Sequence, residues 1–169
     1  MDDVISYLIE GNKLHHQNQF SAAIEKYDNA LKLKPTYSAI YEAKARSLIE
    51  ECCYNDALFN FNKAITCLNS NSPTLFKPRN YRLYYCRGDV LLILERYEES
   101  FKSFEKALFL FSREGELDVP FLNDCVNEGL YFQRVRLHQY AIEIFQMVYD
   151  IGKDYLSDLD YDLVKLIKT

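Results

Sequence analysis

Three histidines and five cysteines are the first side chains to consider as ligands of a metal such as zinc or as catalytic groups. His15 and His16 are adjacent, so on a helix their side chains would point about 100° apart and make a poor joint metal site. The same geometry argues against Cys52 and Cys53 as a chelating pair, and position 52 is expected at a helix end. We expect both histidines to face solvent or a groove, and we predict that the chain holds no metal and no cofactor.

Other catalytic chemistry has no recognisable motif in the sequence. The phosphate-binding glycine loop, the Gly-x-Ser-x-Gly turn and the His-Glu-x-x-His helix are all missing, so we predict that the protein is not an enzyme. The cysteines also lack the paired spacing of a disulfide scaffold. Cys67, Cys86 and Cys125 lie in apolar helical patterns, where a thiol serves as a small hydrophobic group. Reduced thiols of this kind are typical of the cytoplasm.

Charge argues against a nucleic-acid partner, and hydropathy argues against a membrane. The net charge is −5, whereas a phosphate backbone requires a basic face. One basic cluster begins in a proline-containing segment that we interpret as a solvated loop: Lys77, Arg79, Arg82 and Arg87. The acidic first residues do not resemble a signal peptide, and no apolar run approaches the roughly 18 residues of a membrane helix. Charged residues near residue 169 also argue against a tail anchor, so we expect a cytoplasmic protein.

Small and aromatic residues recur four times along the chain. The first small residue of each recurrence is Gly11, Ala45, Gly88 or Gly129, at spacings of 34, 43 and 41 residues. A second small residue follows twelve positions later in each case: Ala23, Ala57, Ser100 and Ala141. Four positions beyond it comes an aromatic residue: Tyr27, Phe61, Phe104 and Phe145. The pattern predicts four hairpins of paired helices that touch at the small residues, with the aromatic side chains filling the space around each contact.

These columns resemble the tetratricopeptide repeat, whose pattern is W-x2-L-G-x2-Y, then A-x3-F, then P. The first recurrence carries Tyr7, Gly11 and Leu14, then Ala23 and Tyr27, and ends at Pro35. The resemblance covers about residues 4–152. It departs from the family at the Trp column, which is Tyr or Cys here. The closing proline is present only in the first recurrence, as Pro35. The family's Leu column is charged instead, and we interpret it as a ladder of contacts between successive first helices: Glu10, Lys44, Arg87 and Glu128.

The resemblance implies an all-α fold, a right-handed α-α superhelix of about nine helices in a single repeat domain, 1–169. The repeats are expected at 4–37, 38–71, 81–114 and 122–153. Eight helices are expected near 3–17, 20–33, 37–51, 54–69, 80–94, 97–113, 121–136 and 138–151. The extra residues of the longer periods fall at 70–80 and 114–121, which predicts longer connections there. Leucines at spacings of three and four predict a capping helix at 154–169: Leu156, Leu159, Leu163 and Leu166.

The resemblance also implies a function, because stacked repeats curve into a groove that binds proteins. In the family, certain positions of each first helix project into this groove. Carried over to this chain, they predict a peptide-binding set of ten residues: Leu8, Asn12, Glu42, Arg46, Arg82, Tyr85, Asp89, Val126, Leu130 and Arg134. The expected partner is another protein or peptide, bound as an extended strand or as a helix, by a scaffold or adaptor. The oligomeric state stays open.

Two more specific functions are alternatives. Co-chaperone members of the family grip the terminal carboxylate of a heat-shock chaperone with a clamp of Lys, Asn, Asn, Lys and Arg. The matching positions here are degenerate and predict no strong binding to an acidic chaperone tail: Leu8, Asn12, Ala43, Arg82 and Cys86. Secretion-system chaperones of the family are similar in length and acidity, but their regular short spacing differs from the longer periods of this chain.

Overall fold

The structure is a computed structural model in which residues 2–69, 80–113 and 118–153 are described. These residues form eight α-helices and no strand: α1 (Asp2–His16), α2 (Phe20–Leu33), α3 (Ser38–Glu50), α4 (Tyr54–Asn69), α5 (Asn80–Ile93), α6 (Tyr97–Phe111), α7 (Val119–Arg134) and α8 (His138–Gly152). The all-α fold is confirmed, and each of the eight helices begins and ends within two residues of its predicted position. The predicted capping helix, 154–169, lies outside the described residues.

The chain divides into two compact units, Met1–Ser100 and Phe101–Thr169, with the boundary inside α6. In the first unit α1 pairs with α2 and α3 pairs with α4, and the second helix of each pair packs against the helix that follows. In the second unit α7 pairs with α8. Below, α1, α3, α5 and α7 are called first helices, and α2, α4, α6 and α8 are called second helices, after their order in each predicted repeat.

Sequential pairing explains why the core of the first unit forms in two clusters. One cluster joins the first hairpin to the start of α3 through Tyr27, Tyr37 and Ile40. The other joins the second hairpin to α5 through Phe61 and Leu91. A single hairpin could not remove these side chains from water, so each hairpin depends on the helix that follows it.

The small-residue columns have the predicted role at the helix crossings. A Cβ atom added to Gly11 would lie 2.5 Å from Cε1 of Tyr27, and one added to Gly129 would lie 2.5 Å from Cε1 of Phe145. Real Cβ atoms do not approach carbon this closely, and both rings are buried. The ring of each second helix therefore packs directly against the backbone of its first helix.

The second small column is also buried, and it differs in one repeat. Ala23 and Ala57 have no exposed surface, and Ala141 has almost none. Ser100 takes this position in the third repeat, where its hydroxyl donates a 2.8 Å hydrogen bond to the carbonyl oxygen of Gly88. A serine is acceptable at this buried crossing because its polar atom has a partner.

All four first helices end in the same turn, which the sequence did not reveal. One residue in each turn has a positive φ between 57° and 64°: Asn18, Cys52, Glu95 and Arg136. In the second repeat Cys52 N–H donates to the Ile49 carbonyl and Cys53 N–H donates to the Leu48 carbonyl, both at 2.8 Å. The same pair of bonds recurs in the other three turns. This is the Schellman motif, which usually places glycine at the left-handed position, and no glycine marks it here.

Three members of the charged column contact second helices, which the sequence did not predict. We expected contacts between successive first helices. The contacts instead run from first helices to second helices: Glu10 with Lys26 at 3.0 Å, Lys44 with Asp28 at 2.5 Å, and Arg87 with Asn62 at 2.8 Å. The second helix of a hairpin lies between two first helices, so it offers the nearer partner. Exposed pairs of this kind contribute only about 0–1 kcal/mol each.

We expect Gly11→Leu to lower the free energy of unfolding by about 1–3 kcal/mol, because the new side chain must displace the buried Tyr27 ring. Helix propensity acts in the opposite direction, since Gly is about 1 kcal/mol less favourable than Ala or Leu inside a helix. Urea unfolding followed by circular dichroism measures the net effect. Lys13→Leu, at an exposed position of the same helix, is the control for a leucine added away from the crossing, since Lys and Leu have similar helix propensities. A Gly11→Leu protein as stable as the wild type would contradict the crossing described here.

Candidate functional site

A pocket of about 340 Å³ lies between the first helices α1 and α3 in the first unit. Asn12, His15 and His16 line it from α1, at the spacings of three and four that share one helix face. Four residues line it from α3 with the same periodicity: Ala39, Glu42, Ala43 and Arg46. The two alanines leave the space that the pocket occupies. Three members of the predicted binding set, Asn12, Glu42 and Arg46, therefore meet at one site, which we call the α1–α3 pocket.

The base of the α1–α3 pocket is a partly buried polar network. The Tyr27 hydroxyl donates a 2.9 Å hydrogen bond to Oδ1 of Asn12, and His15 Nδ1 is hydrogen-bonded to Ser47 Oγ at 2.9 Å. Burial raises the pKa of Tyr27, and a hydrogen bond with Ser47 offsets part of that rise. These bonds join α1, α2 and α3. Oδ1 of Asn12 accepts the hydrogen bond from the Tyr27 hydroxyl. The Nδ2 group of Asn12 therefore remains as a hydrogen-bond donor on the pocket side.

The rim of the pocket carries an ion pair on α3. Arg46 Nη2 lies 2.7 Å from Glu42 Oε1, one helical turn away. The arginine side chain is 49% exposed and that of Glu42 is 15% exposed. Exposed pairs one helical turn apart contribute only about 0.3–0.5 kcal/mol, and the arginine is the exposed member of this pair.

His15 is held neutral near pH 7. Burial lowers its pKa from the ordinary 6.5, and the nearby His16 and Arg46 lower it further, while Glu50 acts in the opposite direction. The charges of Glu42 and Arg46 cancel within the pocket. The α1–α3 pocket therefore offers hydrogen-bond donors and acceptors without a strong net charge.

The predicted binding residues of α5 lie close to this rim. Burial raises the pKa of the Cys86 thiol to about 11, and the charges that act on that thiol are those of Arg46, Asp89, Glu42 and Arg82. The charges of four predicted binding residues from α3 and α5 therefore act on one uncharged thiol. Tyr85 is half-buried on the same helix.

Leu8 behaves differently from the rest of the set in the first unit. It is half-buried and packs against the core cluster of the first hairpin. Its contribution to a partner is therefore limited to the part of the side chain that remains exposed.

The three predicted binding residues of α7 belong to the second unit. Val126 is only 8% exposed, so little of it is available to a partner. Leu130 is half-buried, and Arg134 is exposed in the last turn of α7. The second unit also has a pocket of about 780 Å³ between its second helices, which includes Phe109 and Met147 and no member of the predicted set.

The sequence prediction left His16 and Tyr27 out of the binding set, together with His15. The signal was present, because positions 15 and 16 lie three and four residues after Asn12. Within the described ranges no group of three histidine, cysteine or acidic side chains is arranged to hold a metal ion. The helices described here also include none with the length and apolar character needed to cross a membrane.

Solved tetratricopeptide-repeat structures share this fold. The crystal structure of MamA is 18% identical, with a TM-score of 0.68 over 99% of this chain and 85% of that chain. The Arabidopsis OM64 TPR domain is 26% identical, with a TM-score of 0.57 over 65% of this chain and 84% of that chain. The first TPR of Spaghetti (RPAP3), bound to the HSP90 peptide SRMEEVD, is 20% identical. Its TM-score is 0.58, over 69% of this chain and 83% of that chain. No family model and no curated protein sequence matches the chain.

We expect His15 to make stability pH-dependent, because its pKa in the folded state lies below its unfolded value of 6.5. Between these two values the unfolded chain binds more protons, so stability falls as the pH drops from 6.5 through the folded pKa. His15→Gln removes this titration, and its free energy of unfolding should therefore decline less than that of the wild type between pH 7.5 and 5.5. Urea unfolding across that range, with an NMR titration of the His15 ring, is the measurement. An equal decline in both proteins would rule out the effect.

Proposed function

Because this chain is a tetratricopeptide-repeat protein, we propose that it is a protein-interaction module whose first unit binds a peptide or a helix of a partner. The observation that carries this proposal is the α1–α3 pocket, where Asn12, Glu42 and Arg46 converge from two successive first helices. The charges of Arg82 and Asp89 on α5 act on the Cys86 thiol together with those of Glu42 and Arg46, which supports including both α5 residues in the proposed surface. The partner is bound across three helices, with no reaction catalysed.

The chemistry of the pocket favours a ligand with mixed polar groups. Asn12 Nδ2 and the guanidinium of Arg46 donate hydrogen bonds, while Glu42 accepts them. A peptide backbone presents both donors and acceptors in alternation, so it matches this set better than a ligand of one charge sign. The walls contributed by Ala39 and Ala43 allow close approach of the peptide.

The His15–Ser47 pair resembles a base next to a nucleophile, but burial argues against that role. A nucleophile must be reached by the substrate, and Ser47 has no exposed surface. Its hydroxyl is hydrogen-bonded to His15 Nδ1 at 2.9 Å in this buried position. We therefore assign the pair to the architecture of the pocket and propose no catalytic function.

A co-chaperone function is the second candidate, because the RPAP3 neighbour was solved with an HSP90 peptide. The clamp positions of this chain weaken that candidate. Leu8 packs on the core, and Ala43 supplies no charge. Cys86 is an uncharged thiol whose pKa is raised to about 11. Asn12 and Arg82 alone leave too few groups to hold the two adjacent carboxylates of an acidic tail.

We expect Arg46→Glu to weaken peptide binding at least tenfold, because it replaces a donor on the rim and repels Glu42. Peptides selected from a random display library on the wild-type protein supply the ligands, and isothermal calorimetry supplies Kd. Lys32→Glu is the matched control, since it reverses a charge at an exposed position of the second helix α2 and should change Kd by less than twofold. The peptide SRMEEVD should bind more weakly than 10 μM, a binding free energy of about −7 kcal/mol.

Two results would contradict the proposal. Selected peptides that bind Arg46→Glu as tightly as the wild type would place the binding surface elsewhere. Tight binding of SRMEEVD that depends on Asn12 and Arg82 would favour the co-chaperone function instead. Circular dichroism of each variant separates lost binding from lost folding.

A further inference from the structure

Two exposed thiols occupy the turn between α3 and α4. Cys52 and Cys53 are both exposed, whereas Cys67 and Cys125 are buried and Cys86 is half-buried. In the folded protein, a reagent in solution therefore meets the adjacent pair first.

Neither residue of the pair is helical. Helix α3 ends at Glu50 and α4 begins at Tyr54, and Cys52 has a φ of 59°. The expectation that the two side chains diverge by about 100° holds for a helix and does not apply here. Adjacent Cα atoms are about 3.8 Å apart, so two thiols in a turn can reach one common ligand atom by rotation of their side chains.

The turn itself does not require thiols. Its two closing hydrogen bonds are donated by the backbone N–H groups of Cys52 and Cys53. The equivalent positions of the other three turns carry no cysteine: Asn18 and Gln19, Glu95 and Arg96, Arg136 and Leu137. The side chains at 52 and 53 are therefore free of a packing role, in contrast to the buried thiols.

The surroundings of the pair determine which ligand it suits. Cys53 Sγ lies 3.6 Å from the Glu51 carbonyl oxygen, and Tyr54 follows the pair as the first residue of α4. A structural zinc site needs four ligands, and within the described residues no third histidine, cysteine or acidic side chain is grouped with the pair to hold a metal ion. Two thiol groups without further ligands suit a soft, thiophilic atom that forms bonds to two sulfurs.

We propose that Cys52 and Cys53 form a dithiol site for trivalent organoarsenical electrophiles. An organoarsenic oxide loses its oxygen as water, formed with the two thiol protons, while two As–S bonds replace the As=O bond. The arsenic stays trivalent, so no oxidant or reductant is needed. The site lies at the end of the hairpin and is independent of the peptide-binding function proposed above.

Phenylarsine oxide is the probe for this proposal. We expect the wild-type protein to bind one equivalent and keep it in excess glutathione, a monothiol, and to release it to dithiothreitol, a dithiol. Formation of the adduct should also abolish the reaction of both exposed thiols with Ellman's reagent in the folded protein. Intact-mass spectrometry under native conditions measures retention.

Single substitutions identify the site. Cys52→Ser and Cys53→Ser should each lower retention in glutathione at least tenfold, because one thiolate is readily displaced by a competing thiol. Cys67→Ala removes a buried thiol and should retain the arsenical as the wild type does. Retention by either serine variant, loss of the wild-type adduct to glutathione, or an adduct mapped to Cys67, Cys86 or Cys125 would overturn the proposal. Circular dichroism confirms that each variant is folded.

Discussion

At two helix crossings an aromatic ring lies directly on a glycine backbone. Tyr27 of α2 covers Gly11 of α1, and Phe145 of α8 covers Gly129 of α7. The close approach lets the two helices of a hairpin share one core, and in the first unit it leaves the opposite surface of each second helix for the helix that follows. In the first unit the same Tyr27 ring carries the hydroxyl that holds Asn12. Packing of the hairpin and construction of the α1–α3 pocket therefore depend on one side chain.

The helices could be predicted because packing imposes their spacing. Small residues must recur where backbones touch, and large residues must recur beside them, so the columns through Gly11, Ala23 and Tyr27 mark the hairpins directly. The turns carried no such signal. Schellman motifs are recognised in a sequence by glycine, and residues such as Glu95 and Arg136 occupy the left-handed position here.

The candidate site was predictable in part. Asn12, Glu42 and Arg46 follow from helical periodicity once the first helices are placed. His15 was considered together with His16 as a possible metal site. It was therefore left out of the binding set, although it lies one helical turn from Asn12. Its bond to Ser47 crosses from α1 to α3, and such a contact depends on how hairpins stack rather than on spacing along one helix. The partners of the charged column were missed for the same reason, since Lys44 reaches back to Asp28 on the preceding second helix.

The contact of Gly11 with Tyr27 is the most direct test of this account. A nuclear Overhauser spectrum of the folded protein should show strong cross-peaks between the Gly11 Hα protons and the Tyr27 ring protons. The Gly11 Hα resonances should also be shifted upfield by the ring current. Gly11 Hα protons at ordinary shifts, with no cross-peak to Tyr27, would contradict the crossing and the pocket built on it.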